Sequence, residues 1–229
     1  MDVSELKKKA AERAVEFLQS GMVLGLGHGT TTRFALERIS EMLRRGEVKD
    51  ILAVPCSLHV EHDARELGIP LTNLNDHPEI DLTIDGADEV DPDLNLIKGG
   101  GGALVREKVV AQASRREIIV VDPRKMSDRL GTQHSLPVET IEFGWGVQAA
   151  FVESLGAEVT LRRTDRGDAF RSDQGNLILD CEFGPIESCE SLDRRLRSRA
   201  GIVGHGLFLG LVTDVLVGRP DGVEHLRSE

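Results

Sequence analysis

One stretch of the chain, DLTIDGADEVDPDLNLIKGGGGALVREKVVA, concentrates residues that can transfer protons and bind anions. It carries four closely spaced carboxylates, a lysine, four consecutive glycines and a further glutamate: Asp85, Asp88, Glu89, Asp91, Lys98, Gly99–Gly102 and Glu107. A carbonyl substrate that exchanges its α-proton needs a base, donors for the enediolate oxygen, and an acid/base for the hydroxyl proton. Because the stretch supplies all three, it predicts proton-transfer chemistry on a small carbonyl compound.

Two other interpretations of these residues stay open at this point. Several carboxylates in one loop suit a hard divalent cation, although the spacing matches no EF-hand and Lys98 would compete with a metal ion. Glu107 lies in the segment Arg-Glu-Lys, where a glutamate commonly faces solvent. The histidines form no His-Glu-x-x-His motif, and the pair His59 and His62 is typical of a solvated helix face. We predict no metal and no cofactor.

A second glycine-rich segment, GLGHGTTT, lies between an apolar strand and a helix. Glycines allow a tight turn, and the N-terminus of the helix offers N–H donors and a partial positive charge that suit a phosphate. The dinucleotide motif G-x-G-x-x-G and the P-loop motif are both absent, and the second strand ends in VPCS without a ribose-binding acid. The loop favours a phosphomonoester, and a plain turn with a threonine N-cap is the alternative.

The elements that must position these residues alternate between strand and helix. Apolar strands (MVLGLG, ILAVP, IPLTNL, IDLTID and EIIVV) are separated by helical segments, which predicts right-handed crossovers and a doubly wound, mostly parallel sheet of the α/β class. Ligands bind beyond the carboxyl ends of such strands. Four strand ends carry polar residues there: GLGHGTTT, PCS, the segment from Asp85, and DPRK.

The pattern changes near Gly131. LPVETIEF, VQAAFVESLGAEVTLRRT, NLILDCEF and SLDRRLRSRAGIVGHG predict strand, helix, strand, strand and helix, which is typical of a small α+β domain. LFLGLVTDVLVGR then returns to the first sheet. The predicted limits are 1–131 for a Rossmann-like catalytic domain, 132–205 for the small α+β domain, and 206–229 for the return to the first domain.

The composition argues against several classes of protein. A net charge of −11 disfavours a general nucleic-acid surface, although a local basic site can still bind an anion. No apolar run approaches the roughly 18–20 residues of a membrane span, and the first segment predicts an amphipathic helix, not a signal peptide. Three cysteines without a C-x-x-C motif fit a reducing compartment. We expect a cytoplasmic protein that binds neither nucleic acid nor membrane.

The segment DGADEVDPDLNLIKGGGGALVREKVVA closely resembles the signature of the type A ribose-5-phosphate isomerase family. GLGHGTTT, VPCS, VVDPRK, LPVE, DQGNLILD and GIVGHGLF follow the order and spacing of that family, so the resemblance covers most of the chain. It implies a Rossmann-like domain with a small α+β domain, assembled as a homodimer or homotetramer. It also implies a metal-free aldose–ketose isomerase that interconverts D-ribose 5-phosphate and D-ribulose 5-phosphate through an enediolate, in the non-oxidative pentose phosphate pathway.

The resemblance implies a role for each matching residue. Glu107 matches the general base that moves a proton between C1 and C2, Asp85 matches an acid for hydroxyl protons, and Lys98 completes the catalytic set. The expected substrate ligands are His28, Gly29, Thr30, Thr31, Asp85, Gly86, Ala87, Asp88, Lys98, Gly99, Gly100, Gly101 and Lys125. Four positions depart from the family pattern, which usually has a hydroxyl residue, a threonine, an asparagine and a glutamate there: His28, Cys56, Gln174 and Gly204.

A non-catalytic sugar-phosphate sensor on the same scaffold is the competing hypothesis. A sensor needs the phosphate loop but not the set Glu107, Asp85 and Lys98. It would also normally carry a DNA-binding helix-turn-helix or a basic face, which this acidic sequence does not indicate. A sugar-phosphate deaminase or an acyl-CoA transferase on a related scaffold lacks the acid and glycine signature.

Overall fold

A computed structural model describes residues 2–228 of the chain. These residues form six α-helices: α1 (Val3–Val15), α2 (Thr32–Arg45), α3 (Leu58–Glu66), α4 (Leu104–Gln112), α5 (Trp145–Glu153) and α6 (Cys189–Arg197). They also form thirteen strands: β1 (Val23–Leu26), β2 (Leu52–Pro55), β3 (Leu82–Asp85), β4 (Glu89–Val90), β5 (Leu96–Ile97), β6 (Glu117–Val121), β7 (Leu136–Thr140), β8 (Glu158–Leu161), β9 (Leu177–Glu182), β10 (Ile202–His205), β11 (Leu207–Phe208), β12 (Asp214–Arg219) and β13 (Gly222–Arg227). Within the described part of the chain, no helix is long and apolar enough to cross a membrane.

The first of two compact units contains the described residues up to Ala87, Arg106–Lys125, and the described residues from Gly210. Its six-stranded sheet has the order β13-β12-β6-β3-β1-β2, and all neighbours are parallel except β12 and β13. The central strand β6 is buried along its whole length, as expected for a parallel strand covered on both faces. The predicted α/β class with a mostly parallel sheet is confirmed.

The two edges of this sheet differ from the sequence expectation. The segment IPLTNL forms only a bridge between Ala53 and Leu71, beside Pro70, which has no N–H to donate to a ladder. At the other edge, β13 was not predicted, because its residues are partly buried up to the exposed Arg227 and show no strict alternation. Asp214 at the start of β12 binds this edge strand through His225, whose Nε2 lies 2.6 Å from Oδ1 of Asp214.

Asp214 also accepts two hydrogen bonds of 2.8 Å from the guanidinium of Arg116. Burial alone would raise the pKa of Asp214, but the hydrogen bonds from Arg116, Thr213 and His225 lower it below its usual range. The carboxylate is therefore ionised at neutral pH, and it links β12, β13 and the residue before β6.

The second compact unit contains Asp88–Val105 and Met126–Leu209. It has an antiparallel four-stranded sheet in the order β10-β7-β9-β8 and a three-stranded sheet in the order β11-β5-β4. Strands β7 and β9 contribute to an apolar core that also includes residues of α5 and α6. The predicted domain limits stay a prediction. The compact units differ from them by placing 88–105, 126–131 and 206–209 in the second unit. The pairing of β11 with β5 joins the first and last of these segments.

Candidate active site

In the first unit, the loop between β1 and α2 is bonded to the end of β3. The backbone N–H groups of His28 and Gly86 donate to Oδ1 of Asp85 over 3.0 and 2.7 Å. The N–H of Gly27 donates to the carbonyl of Ile84 over 2.9 Å. Asp85 is buried, and these donors fix the orientation of its carboxylate. The glycines of this loop, which we expected to approach a phosphate, thus bring the backbone close to the carboxylate of Asp85.

Gly27 allows this close approach because it has no Cβ. A Cβ at this position would lie 2.2 Å from Oδ1 and 2.4 Å from Cα of Asp85. We expect Gly27→Ala to lower the free energy of unfolding by about 1–3 kcal/mol, the usual cost of overpacking. Displacement of Asp85 should lower turnover as well. Urea unfolding and steady-state kinetics measure both effects.

Gly146→Ala is the matched control for this substitution. Gly146 lies inside α5, and no heavy atom lies within 4 Å of the Cβ that alanine would add. Alanine has a higher helix propensity than glycine, so this variant should be as stable as the parent or slightly more stable. Equal stability of the Gly27→Ala and Gly146→Ala proteins would contradict the overpacking argument.

His28 turns toward α3, although a hydroxyl residue was expected at this place from the family pattern. Its Nδ1 lies 3.0 Å from Oγ of Ser57, which also accepts a hydrogen bond from the N–H of Val60 and caps α3. The ring of His28 lies 5.6 Å from that of His59, and both line one cavity with Asp63. The backbone of His28 is therefore fixed by Asp85 and its ring by α3, while its contact with substrate stays a prediction.

Glu107 lies in the first turn of α4 and is buried, so the solvent-facing interpretation of this glutamate is wrong. One ligand atom each of Cys56, Asp85 and Glu107 lies within 4.8 Å of the others. Cys56 reaches this place because it follows β2, the neighbour of β1, while Asp85 ends β3. The first unit thus places two buried carboxylates and a thiol at the carboxyl ends of parallel strands.

A lysine lies at the other end of the β1–α2 loop. The Nζ of Lys7, in α1, donates to Oγ1 of Thr30 over 2.7 Å. Burial alone would raise the pKa of Asp122, but the hydrogen bonds and charge of Arg124, and then the charge of Lys7, lower it. The predicted ligand Lys125 closes the short 3-10 helix Pro123–Lys125 that follows Asp122. Lys7 was not predicted as a site residue, because no local motif marks a single lysine in an amphipathic helix.

In the second unit, the four glycines form a turn between β5 and α4. Gly99 and Gly102 have positive φ angles of 100° and 84°. A Cβ would lie 2.8 Å from Leu104 at Gly99, and 2.5 Å from the ring of Phe170 at Gly102. Glycine is therefore required by backbone conformation and by packing.

Two side chains hold this glycine turn in place. The N–H of Gly100 donates to Oδ2 of Asp88 over 2.7 Å. Nη1 of Arg162 donates to the carbonyls of Gly99 and Gly100 over 2.9 and 3.1 Å, while Nε donates to Asp180 over 2.9 Å. Arg162 was not predicted, because it lies about sixty positions along the chain from the glycines. Arg162 thus holds the carbonyl side of the turn, while the N–H of Gly102 donates to the carbonyl of Gly99 over 2.9 Å.

Lys98 precedes the turn and is buried. Its Nζ lies 5.7 Å from the ring centroid of Phe208, and its N–H donates to the carbonyl of Gly206. Burial of an ammonium is costly unless it serves a specific interaction. The aromatic ring compensates part of that cost, since a cation over a π face is stabilised electrostatically.

The remaining acids of the opening stretch have structural roles. Glu89 accepts hydrogen bonds from the backbone N–H groups of residues 131–134, and Asp91 accepts from Asp93 and Asn95 in the turn between β4 and β5. Among residues 2–228, the three-ligand group of Cys56, Asp85 and Glu107 includes neither of them. Of the four acids in the opening loop, Asp85 is therefore the one that belongs to this group in the described part of the chain.

The predicted site residues fall into one group in each unit. The first unit holds His28, Gly29, Thr30, Thr31, Asp85, Gly86, Ala87, Glu107 and Lys125. The second unit holds Asp88, Lys98, Gly99, Gly100 and Gly101. The first group offers proton acceptors and an anion site, and the second offers an ammonium and backbone donors. Their roles toward a substrate stay predictions.

Comparison with known proteins identifies relatives of similar length. The family model for ribose 5-phosphate isomerase A (phosphoriboisomerase A) matches residues 52–222. The chain is 53% identical over 223 residues to ribose-5-phosphate isomerase A of Desulfatibacillum aliphaticivorans, covering 97% of each protein. It is 54% identical over 222 residues to the enzyme of the same name from Chloroflexus aurantiacus, covering 97% of this chain and 93% of that protein.

Solved structures agree with these sequence matches. A D-ribose-5-phosphate isomerase in complex with phospho-erythronic acid superposes with a TM-score of 0.97 at 37% identity, covering 99% of this chain and 100% of that one. The ribose 5-phosphate isomerase from Plasmodium falciparum superposes with a TM-score of 0.94 at 40% identity, covering 98% of both chains.

Proposed function

We propose a proton-transfer mechanism for this chain, which belongs to the ribose 5-phosphate isomerase A family and interconverts D-ribose 5-phosphate and D-ribulose 5-phosphate. It is an aldose–ketose isomerase of the pentose phosphate pathway. The proposal rests above all on the two buried carboxylates Asp85 and Glu107, which have oxygens within 4.8 Å of each other. One acid can act on a carbon-bound proton while its neighbour acts on a hydroxyl proton.

In the proposed sequence of steps, Glu107 takes the C2 proton from the open-chain aldose. The electron pair moves to the carbonyl, and the enediolate forms with its negative charge on O1. Glu107 then returns the proton to C1, and Asp85 moves the hydroxyl proton from O2 to O1. Substrate and product are isomers, so the cycle consumes no proton and needs no oxidant, reductant or cofactor.

The remaining predicted residues bind charge on the substrate. We propose that Lys98 and the glycine turn stabilise the enediolate oxygens. The N–H groups of Gly100 and Gly102 are not counted among the donors, because they donate to Asp88 and to the carbonyl of Gly99. Lys7, Lys125 and Thr30, at the loop that precedes α2, bind the phosphate. A solved isomerase of the family binds phospho-erythronic acid, and its planar carboxylate and its phosphate resemble an enediolate phosphate in shape and charge. This ligand supports the same arrangement of anion sites for the present chain.

We also propose a cytoplasmic homodimer or homotetramer that binds neither nucleic acid nor membrane. The net charge of −11 and the three reduced cysteines support the location and the lack of nucleic-acid binding. A segment of the second unit exposes apolar side chains that assembly would cover: Ile141, Phe143, Trp145 and Val147. Phe143 is 87% exposed, which is unusual for an aromatic side chain.

An assay of ribose 5-phosphate with purified protein in excess EDTA tests the metal-free mechanism. We expect ketose formation at an undiminished rate, because the proposed steps use side chains and backbone donors only. Turnover that disappears in EDTA and returns with a divalent cation would contradict it. A folded protein that binds the sugar phosphate without converting it, with or without the cation, would favour a sensor over an enzyme.

A further inference from the structure

The thiol of Cys56 lies beside the two carboxylates without a part in the proposed mechanism. The side chain is fully buried and forms no disulfide. One ligand atom of each residue, Sγ of Cys56 and a carboxylate oxygen of Asp85 and of Glu107, lies within 4.8 Å of the other two. Three potential metal ligands of mixed type thus meet at the carboxyl ends of neighbouring parallel strands.

We propose that Cys56, Asp85 and Glu107 form a binding site for a thiophilic divalent cation such as Zn²⁺, and that the bound cation inhibits turnover. A thiolate with two carboxylates suits Zn²⁺, which accepts sulfur and oxygen ligands at about 2.0–2.3 Å in a tetrahedron. Hard cations such as Mg²⁺ prefer oxygen ligands only, so they should compete poorly for this site. Binding forms the metal–sulfur bond and releases the thiol proton to solvent.

The backbone already holds one of the three ligands in place. Oδ1 of Asp85 accepts N–H groups from His28 and Gly86, so the carboxylate has little freedom to rotate. The backbone of Cys56 is also held, because its N–H donates to the carbonyl of Leu26 over 3.0 Å. A site whose ligands are held before the cation arrives loses less conformational entropy on binding.

Inhibition follows from the chemistry of the same residues, and this part of the inference rests on the proposed function. A carboxylate that donates its electron pair to a cation cannot accept a carbon-bound proton. A bound cation would therefore remove the base and the hydroxyl-proton carrier at once. Substrate and cation should compete for the site, and EDTA should restore turnover.

The test combines inhibition with a direct measurement of binding. Protein freed of metal with EDTA and then desalted is titrated with Zn²⁺ during turnover of ribose 5-phosphate. Separately, Co²⁺ alone is added, and its thiolate charge-transfer absorption is recorded in the near ultraviolet. We expect inhibition that weakens as substrate increases, and a cobalt band that Zn²⁺ displaces.

The variant Cys56→Ser tests whether the thiol binds the cation. Its rate with Zn²⁺ is divided by its own rate without metal, so that any change in basal activity cancels. We expect inhibition weakened by more than about tenfold, since even outer-shell changes weaken metal sites by that factor, and no cobalt–thiolate band. Cys189→Ser, which alters a half-buried thiol of the second unit, should behave like the parent. Cys56→Ala serves if the serine variant fails to fold.

Two results would overturn the inference. The first is equal Zn²⁺ inhibition of the parent and the Cys56 variants, which would assign inhibition to other ligands such as exposed histidines. The second is a parent protein that shows neither inhibition nor a cobalt–thiolate band. Because the cobalt measurement needs no turnover, the metal site can be judged even if the isomerase mechanism proves wrong.

Discussion

Glu107→Gln should lower kcat by roughly 10²- to 10⁴-fold, the usual contribution of a general base. Glutamine has nearly the same shape as glutamate, so packing in the first turn of α4 is retained while the proton acceptor is lost. The melting temperature should therefore stay close to that of the parent. Steady-state kinetics with ribose 5-phosphate, together with a thermal unfolding curve, measure both quantities.

A substrate deuterated at C2 sharpens this test of Glu107. In the parent, the abstracted deuteron should exchange in part with solvent, while unreacted substrate incubated with Glu107→Gln should keep its label. Glu153→Gln, at an exposed position of α5, is the control and should behave like the parent. A Glu107→Gln protein with near-parental kcat would remove this residue from the role of base.

Lys98→Ala should lower kcat by roughly 10²- to 10³-fold, which is typical for the loss of one donor to an oxyanion. We also expect KM to rise, because the ammonium would contact the bound substrate as well as the enediolate. An interaction present in both states affects KM, and one strengthened in the transition state affects kcat. Initial rates over a range of substrate concentrations separate the two parameters.

Loss of packing has to be distinguished from loss of charge at Lys98, since the side chain is buried against Phe208. Lys98→Met keeps most of the volume without the ammonium, so it should be more stable than Lys98→Ala and equally impaired in kcat. Lys8→Ala, at an exposed position of α1, provides the surface control. An unchanged kcat/KM in the methionine variant would show that the ammonium has no role in turnover.

Local patterns in the sequence were sufficient to predict the fold class and to propose the chemistry. Buried parallel strands form nearly continuous apolar runs, and helices show a repeat near 3.6 residues, so the alternation of elements was readable without coordinates. The family itself was readable from the acid and glycine signature. In each case the information lies within a few neighbouring residues, such as the run Gly99–Gly102 after Lys98.

The roles of side chains whose hydrogen-bond partners lie far away in the sequence could not be predicted. The acids of the opening stretch look alike in sequence, yet Asp85 is bound by the β1–α2 loop, Asp88 by the glycine turn, and Glu89 by residues 131–134. Arg162 supports the glycine turn from a strand pair much farther along the chain. Nothing in the neighbourhood of these residues indicates which backbone donors they meet.

By itself, the sequence determined the α/β class, and its resemblance to the isomerase family implied Glu107 as the candidate base, because periodicity and short motifs are local properties. Only the tertiary structure decided that Lys7 meets Thr30, that β11 pairs with β5, and that Cys56 lies beside the two carboxylates. The physical reason is that strand order and loop packing bring together residues separated by dozens of positions. Such contacts between distant residues produce no repeating pattern in the sequence from which they could be predicted.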